Sequence, residues 1–278
     1  MRALFLTQES YTSSICELFL QESNLPESTF KRMSTPMKAK DDKEDLEAAE
    51  NVGRFAGETS KHAGRFYWLV RGTRPDIANP VQRLARRAQG WTAADDLALV
   101  RMYKYLHWTR RVGLWLRCDL GELQELFFSL LADADHAGDR ATTARSTSGY
   151  WLQGSTATST PAAEVTAQTL LHQVIGKNLP VHAKNDNDAA IAVVHSGHSR
   201  RMYHMRKQAG VSLGALSEYY VDTENSLTRE DTDKMAADLL TKPLDHEKHW
   251  RFSEELGLGL PPASLAREGP ELQWSSRR

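Results

Sequence analysis

Apolar positions follow a helical rhythm early in the chain and a strand-like one later. Tyr11, Ile15, Leu18 and Phe19 fall at i, i+4, i+7 and i+8, which places them on one face and predicts an opening helix. From Asn24 that pattern dissolves into Pro26, Ser28, Thr29, Ser34, Thr35 and Pro36. Further on, Thr92 with Asp95 three positions later forms a capping-box variant, and Leu99, Tyr103 and Leu106 then keep helical spacing. A helix from about Thr92 to Trp108 is predicted. Beyond Glu125 the apolar residues come in short runs. Leu126 to Ala132 is continuously apolar apart from Ser129 and ends in Asp133, as a central buried strand would. Ser148 to Gln153 and Val181 to Lys184 read as shorter strands, and Glu218 to Thr223 as another. Thr160-Pro161 has the form of an N-cap with proline at the first helical position, predicting a helix from Ala162 to about Ile175 that Gly176 to Pro180 ends. Asp186-Asn187-Asp188 caps a predicted helix through Val194, and Asp231 to Leu240 forms the last, stopped by Pro243. Pro261, Pro262, Gly269 and Pro270 predict a disordered tail, and no internal repeat is present.

Composition sharpens this picture. At 278 residues the chain can hold one large domain or two modest ones, with 40% hydrophobic residues. The net charge of -1 excludes a global attraction to nucleic acid, so any such attraction must come from local clustering. Cys16 and Cys118 are the only cysteines, which excludes a disulfide scaffold and a four-cysteine zinc site and favours a reducing compartment. The apolar run at Leu4-Phe5-Leu6 is too short for a signal peptide, and no stretch approaches a membrane span. The expectation is an intracellular protein of cytoplasm or nucleus, neither secreted nor membrane-bound.

Charge is distributed unevenly. Residues 41–60 hold seven acids against Lys43 and Arg54, as a solvated flexible linker would. Residues 65–117 reverse the balance, with eleven basic side chains against Asp76, Asp95 and Asp96, interleaved with Phe66, Tyr67, Trp68, Trp91, Tyr103, Tyr105, Trp108 and Trp115. One reading is a surface that tracks a phosphate backbone through Arg83, Arg86, Arg87, Arg101, Lys104, Arg110 and Arg111, with residues 41–50 as an acidic run able to mask it. The other is that the aromatics are core and the arginines merely solvated. Composition leaves both open.

Four carboxylates stand where a ligand crevice would form in the α/β stretch. Asp133 ends the apolar strand, Glu164 lies in the first turn of a predicted helix, Asp186 follows a short strand and Asp238 sits among Ala236, Ala237, Leu239 and Leu240. Four converging acids would repel one another, and divalent cations are the usual reason for such a set; Mg²⁺ takes hard oxygen ligands of this kind. Taken singly, each acid also has an ordinary role: Glu164 opposing a helix dipole, Asp186 as an N-cap, Asp238 on a wet helix face, Asp133 as a strand-end acid. His195, His198 and His204 lack zinc-ligand spacing.

The ordered motifs resemble the C-terminal part of copia-type retrotransposon Pol polyproteins. Asp133-Ala134-Asp135-His136-Ala137-Gly138-Asp139 followed by Arg145-Ser146-Thr147-Ser148-Gly149-Tyr150 is similar to the opening D-A-D-W-A-G-D…R-S-T-S-G-Y of that family's ribonuclease H domain. Ser159-Thr160-Pro161-Ala162-Ala163-Glu164 resembles S-T-x-E-A-E-Y, and Asp186-Asn187-Asp188-Ala189-Ala190-Ile191 resembles D-N-x-A-A-I. Ala237-Asp238-Leu239-Leu240-Thr241-Lys242-Pro243-Leu244 is similar to A-D-x-x-T-K-P-L. Thr73-Arg74-Pro75-Asp76-Ile77, with Tyr105-Leu106, Thr109 and Gly113-Leu114 downstream, looks like the segment after the polymerase palm, and Leu6 to Tyr11 like the end of the reverse transcriptase. The resemblance covers residues 73–258. It implies an α/β fold of ribonuclease H type, a mixed sheet flanked by helices after a helical connection segment. It also implies Asp133, Glu164, Asp186 and Asp238 as catalytic metal ligands, Mg²⁺ (or Mn²⁺) as cofactor, and cleavage of the RNA strand of RNA–DNA hybrids. Arg200-Arg201-Met202-Tyr203-His204 resembles R-T-K-H-I, which nominates His204 for a substrate-side role.

The departures define the remaining expectations. The polymerase's paired-aspartate motif has no counterpart, so DNA synthesis is not expected. Thirteen residues separate Tyr150 from Glu164 and 21 separate Glu164 from Asp186, too few for the family's complete strand hairpin and first helix. The chain therefore reads as an internally deleted relative with an incomplete strand hairpin and weak or absent cleavage. The expected divisions are a reverse-transcriptase tail helix (1–24), an acidic flexible linker (25–62), a basic helical connection (63–122), the ribonuclease H-like domain (123–258) and a disordered tail (259–278). Two rival readings stand: a non-catalytic nucleic-acid-binding remnant, and another nuclease or integrase of the same broad fold. The aspartate at 238 speaks against the integrase group, which normally places a glutamate there.

Overall fold

Residues 2–40, 43–118, 125–135, 147–155, 162–163, 179–199, 212–221 and 224–262 are described by a computed structural model of the chain. Glu164, His204 and residues 263–278 lie outside them. The chain forms two compact units: an α/β unit of residues 1–2 and 117–238, and a helical unit of residues 3–116 and 239–278.

In the helical unit, the predicted opening helix is α1 (Glu9–Ser23), followed by α2 (Lys43–Ala48), α3 (Thr59–Gly72) and α4 (Ala78–Arg86). The helix α5 (Ala93–Trp108) starts where the capping box places it, Asp95 Oδ2 accepting from the Thr92 backbone N at 2.8 Å and from Thr92 Oγ1 at 3.0 Å. Leu99, Met102, Tyr103, Tyr105 and Leu106 of α5 are buried against Ile15, Phe19, Phe66 and Leu69. Phe19 stacks on Tyr103 with ring centroids 3.9 Å apart. The connection's central aromatics are thus core, while Tyr67 and Trp68 remain exposed.

Residues 25–62 are not the free linker that their charge suggests. Phe30 and Phe55 are buried, and Asp96 of α5 accepts from Phe55 N at 3.1 Å and Trp91 Nε1 at 2.7 Å. Isolated aromatics inside an acidic run contribute enough buried area to override its average polarity. The unit closes with a small sheet in the order β1 (Arg2–Leu6), β2 (Gly113–Cys118) and β8 (Leu258–Gly259). Gly113 is required there, because a Cβ would lie 2.3 Å from Leu6 O. Trp115 Nε1 donates to Leu260 O at 3.0 Å, so the expected disordered tail does not begin at residue 259.

The α/β unit is a mixed sheet with strand order β5-β4-β3-β6-β7, formed by β3 (Phe127–Asp135), β4 (Thr147–Ser155), β5 (Ala162–Ala163), β6 (Val181–Asn185) and β7 (Ser226–Arg229). β3 pairs antiparallel with β4 and parallel with β6, which in turn pairs parallel with β7. Helix α6 (Asp188–Ser196) is capped by Asn187, whose side chain accepts from Ala190 N, and packs on β6 and β7. Gly197 ends it in the left-handed region at φ 68°.

Four sequence expectations change here. Ala162 and Ala163 are strand rather than the start of the expected helix, pairing with Gly154 and Gln153 along the outer edge of β4, and the rest of that expected helix, residues 164–175, lies outside the described residues. The shortened hairpin therefore contributes a two-residue third strand among the described residues. Glu218 to Val221 belong to helix α7 (Leu213–Val221), because Leu213, Leu216 and Tyr220 keep a helical stripe that outweighs the β-propensity of Tyr-Tyr-Val. The strand comes later, as β7. Asp231 to Leu240 forms a 3₁₀ turn (Thr232–Lys234) and a separate short helix α8 (Asp238–Thr241), with Met235, Ala236 and Ala237 buried between them. Residues 239–258, expected in the same domain as the sheet, belong to the helical unit: α9 (His246–Glu255) buries Phe252, and its His249 Nε2 lies 3.0 Å from Tyr105 OH.

Candidate functional site

The β3–β6 register creates the site. Leu131 stands opposite Lys184 in that parallel pair, and the same offset carried two residues on sets Asp133 beside Asp186 at the strand ends. Asn185 Nδ2 donates to Ala132 O at 2.7 Å, fixing the backbones next to both acids. Asp238 arrives from the end of the unit, its position set by a tight turn in which its N donates to Met235 O at 3.0 Å. One carboxylate oxygen from each of Asp133, Asp186 and Asp238 lies within 4.8 Å of the other two. Asp133 and Asp238 are buried and Asp186 is half-buried. The outer pair stands 105 positions apart in sequence. Glu164 and His204, the other expected members, fall outside the described residues.

Like charges this close are costly. Two carboxylates 4.8 Å apart repel by about 3 kcal/mol at an effective dielectric of about 20, and the cluster holds three such pairs. A divalent cation offsets that cost. The donors are hard oxygens without nitrogen or sulfur, the set that suits Mg²⁺, Mn²⁺ or Ca²⁺ rather than Zn²⁺. Oxygens sharing one Mg²⁺ are at most about 4.2 Å apart and those sharing Ca²⁺ about 5.2 Å, so the 4.8 Å bound lies within the reach of Ca²⁺, and a single Mg²⁺ requires the three oxygens to draw in by about half an ångström.

The seven expected nucleic-acid contacts all lie in the helical unit. Arg83 and Arg86 are exposed on α4, and Arg87 pairs with Asp95 at 3.4 Å. Arg101 donates to Thr35 O at 3.2 Å and to Thr35 Oγ1 at 2.9 Å, and Arg110 to His107 O at 2.9 Å. Lys104 and Arg111 are half-buried. Arg74, part of the same basic excess, faces inward and is buried, bidentate to Asp76 at 2.9 and 2.7 Å. Sequence reasoning missed Lys31, whose charge acts on Lys104. Burial lowers the Lys104 ammonium, and the nearby charges of Lys31 and Arg101 lower it further. No signal in the local sequence links a lysine 70 positions upstream to that helix.

No helix among the described residues is long and apolar enough to cross a membrane. Comparison with known proteins finds no matching family model, no similar curated protein and no similar solved structure.

Proposed function

We propose that the α/β unit is a ribonuclease H-like nuclease domain of copia-type retrotransposon origin, hydrolysing the RNA strand of an RNA–DNA hybrid with Mg²⁺ or Mn²⁺. The observation that carries this reading is the convergence of Asp133, Asp186 and Asp238. Each of the three lies in a motif that resembles one of that family's, namely Asp133-Ala134-Asp135, Asp186-Asn187-Asp188 and Ala237-Asp238-Leu239. A central parallel strand pair with an antiparallel hairpin beside it also supports it, since that topology delivers two of the acids from adjacent strand ends.

In this reading Asp133, Asp186 and Asp238 would hold the cation, the first two from fixed strand ends. Bound there, the cation supplies Lewis acidity toward a phosphodiester and a more acidic water. The protein's own contribution is pre-organisation: the Asn185 amide keeps the two strand-end backbones in register. Turnover is expected to be slow, given the two-residue third strand.

The test is single-turnover cleavage of a labelled RNA–DNA hybrid by the full chain. Slow cleavage that requires Mg²⁺ or Mn²⁺ and disappears in Asp133→Asn supports the reading. An intact hybrid at saturating Mn²⁺, or cleavage undiminished by Asp133→Asn, contradicts it.

A further inference from the structure

Helix α3 carries two large rings on its outward side. Its inward stripe, Thr59, His62, Phe66 and Leu69, is buried. The opposite side of such a helix is ordinarily polar. Here it holds Tyr67 and Trp68, 37% and 62% exposed, followed by the exposed Arg71. Arg71 stands three and four positions beyond the rings, so all three side chains share one side of the helix. Gly64, a turn before them, adds no side chain, and a Cβ there would meet nothing within 4 Å.

The fold's own hydrogen bonds and ring stacks leave both rings out. Trp91, Trp108, Trp115 and Trp151 each donate their indole N–H to a protein oxygen. Among the described residues Tyr67 and Trp68 make no side-chain hydrogen bond and no ring pair. The backbone beneath them is nevertheless fixed. Gln8 donates to Trp68 O at 3.2 Å and accepts from Thr73 N and Oγ1 at 3.0 Å. Gly72 admits that clasp, since a Cβ there would strike Gln8 Oε1.

The surrounding charge is positive. Residues 59–88, which span the packed helices α3 and α4, hold seven Lys and Arg against Asp76 alone. Lys61 and Arg65 pair with Glu22, Arg74 with Asp76 and Arg87 with Asp95. Arg71 pairs with no carboxylate among the described residues. Two open rings beside an uncompensated guanidinium suit a nucleobase and its phosphate, because every base has a π-face and arginine takes phosphate. Paired bases are already stacked inside their duplex, so a ring on a convex helix surface meets only unpaired ones.

We propose that Tyr67, Trp68 and Arg71 form a stacking platform for single-stranded nucleic acid, with unpaired bases on the rings and the adjoining phosphate on Arg71. The platform needs neither the carboxylate cluster nor cleavage, so either can fail without the other.

Fluorescence anisotropy of a labelled oligothymidylate, with the full chain in EDTA at low salt, tests it. Trp68→Ala should weaken binding by about 5- to 100-fold, the loss of one base–aromatic stack. Trp68→Phe keeps a ring and should stay within about threefold. An abasic strand of the same length keeps the phosphates without the bases. It should bind weakly, and equally to the unsubstituted chain and Trp68→Ala. Arg71→Gln should weaken both strands and lower the slope of log affinity against log salt by about 0.7, one phosphate contact on a single strand. Each variant should keep the urea midpoint of the unsubstituted chain; a fall in Trp68→Ala would assign the ring to the fold and overturn the proposal. Oligothymidylate binding that Trp68→Ala leaves unchanged would overturn it too, as would an equal loss on the abasic strand or on a blunt duplex. So would self-association that sedimentation velocity finds in the unsubstituted chain and not in Trp68→Ala, which would give the patch to a second copy.

Discussion

Asp76 shows how a single residue can hold a buried network together. Its carboxylate accepts from Arg74 Nε and Nη2 and from Tyr105 OH at 2.6 Å, while Arg74 continues to Thr109 O and Oγ1. Burial alone would push the Asp76 carboxyl up, but the Arg74 guanidinium overrides it and holds the group below the ordinary carboxylate range. Asp76→Ala strands a buried guanidinium and should cost about 3–5 kcal/mol in urea unfolding; a loss under about 1 kcal/mol would contradict this. Two buried histidines give a separate pH signature. Burial pushes both His62 and His249 down to about 4. Unfolding returns each toward 6.5, so the unfolded chain binds more protons between those values and stability falls as pH drops from about 6.5 to about 4. Each contributes a slope of up to about 1.4 kcal/mol per pH unit in that window. Above pH 5 ordinary carboxylates add little, which leaves the histidines in control. Urea midpoints at pH 7.0 and 5.0 check it, and an equal or higher midpoint at pH 5.0 would refute it. The sequence displays Arg74 and Asp76 as a motif, but leaves Arg74 within the general basic excess of residues 65–117. Charge composition alone carries no information on which guanidinium has an internal carboxylate.

Among the elements, β3 was readable because seven nearly continuous apolar residues can hardly be anything but buried. The α5 start was readable because a capping box is local chemistry. The region after Asp188 was harder, since Tyr219-Tyr220-Val221 favours a strand intrinsically and becomes helical through its neighbours. Helix α7 packs on α6, and Ser217 Oγ donates to His195 O at 3.1 Å. Such contacts are tertiary and leave no local trace. The β3–β6 register was likewise invisible, yet it brings Asp133 and Asp186 together. Asn185→Ala removes the amide that locks it and should lower Mn²⁺ affinity by about 10- to 100-fold, as loss of supporting contacts at metal sites does. Titration of Asn185→Ala with Mn²⁺ measures this. Affinity equal to that of the unsubstituted chain would show that the register needs no such lock.

On the scale of the whole molecule, the two units divide the chain differently from its motifs. Residues 239–262 follow Asp238 directly but belong to the helical unit, so the A-D-L-L-T-K-P-L stretch straddles the boundary. Motif order reveals which acids belong to one chemistry and is silent about which unit each flanking residue stabilises. The central claim is that Asp133, Asp186 and Asp238 form a divalent-cation site, and the most direct measurement is Mn²⁺ binding to the full chain by electron paramagnetic resonance. Saturable loss of the free-ion signal is expected, with recovery on adding excess Mg²⁺ and no such loss with Asp133→Asn/Asp186→Asn. Binding that survives both substitutions, or no binding by the unsubstituted chain at millimolar Mn²⁺, would contradict it.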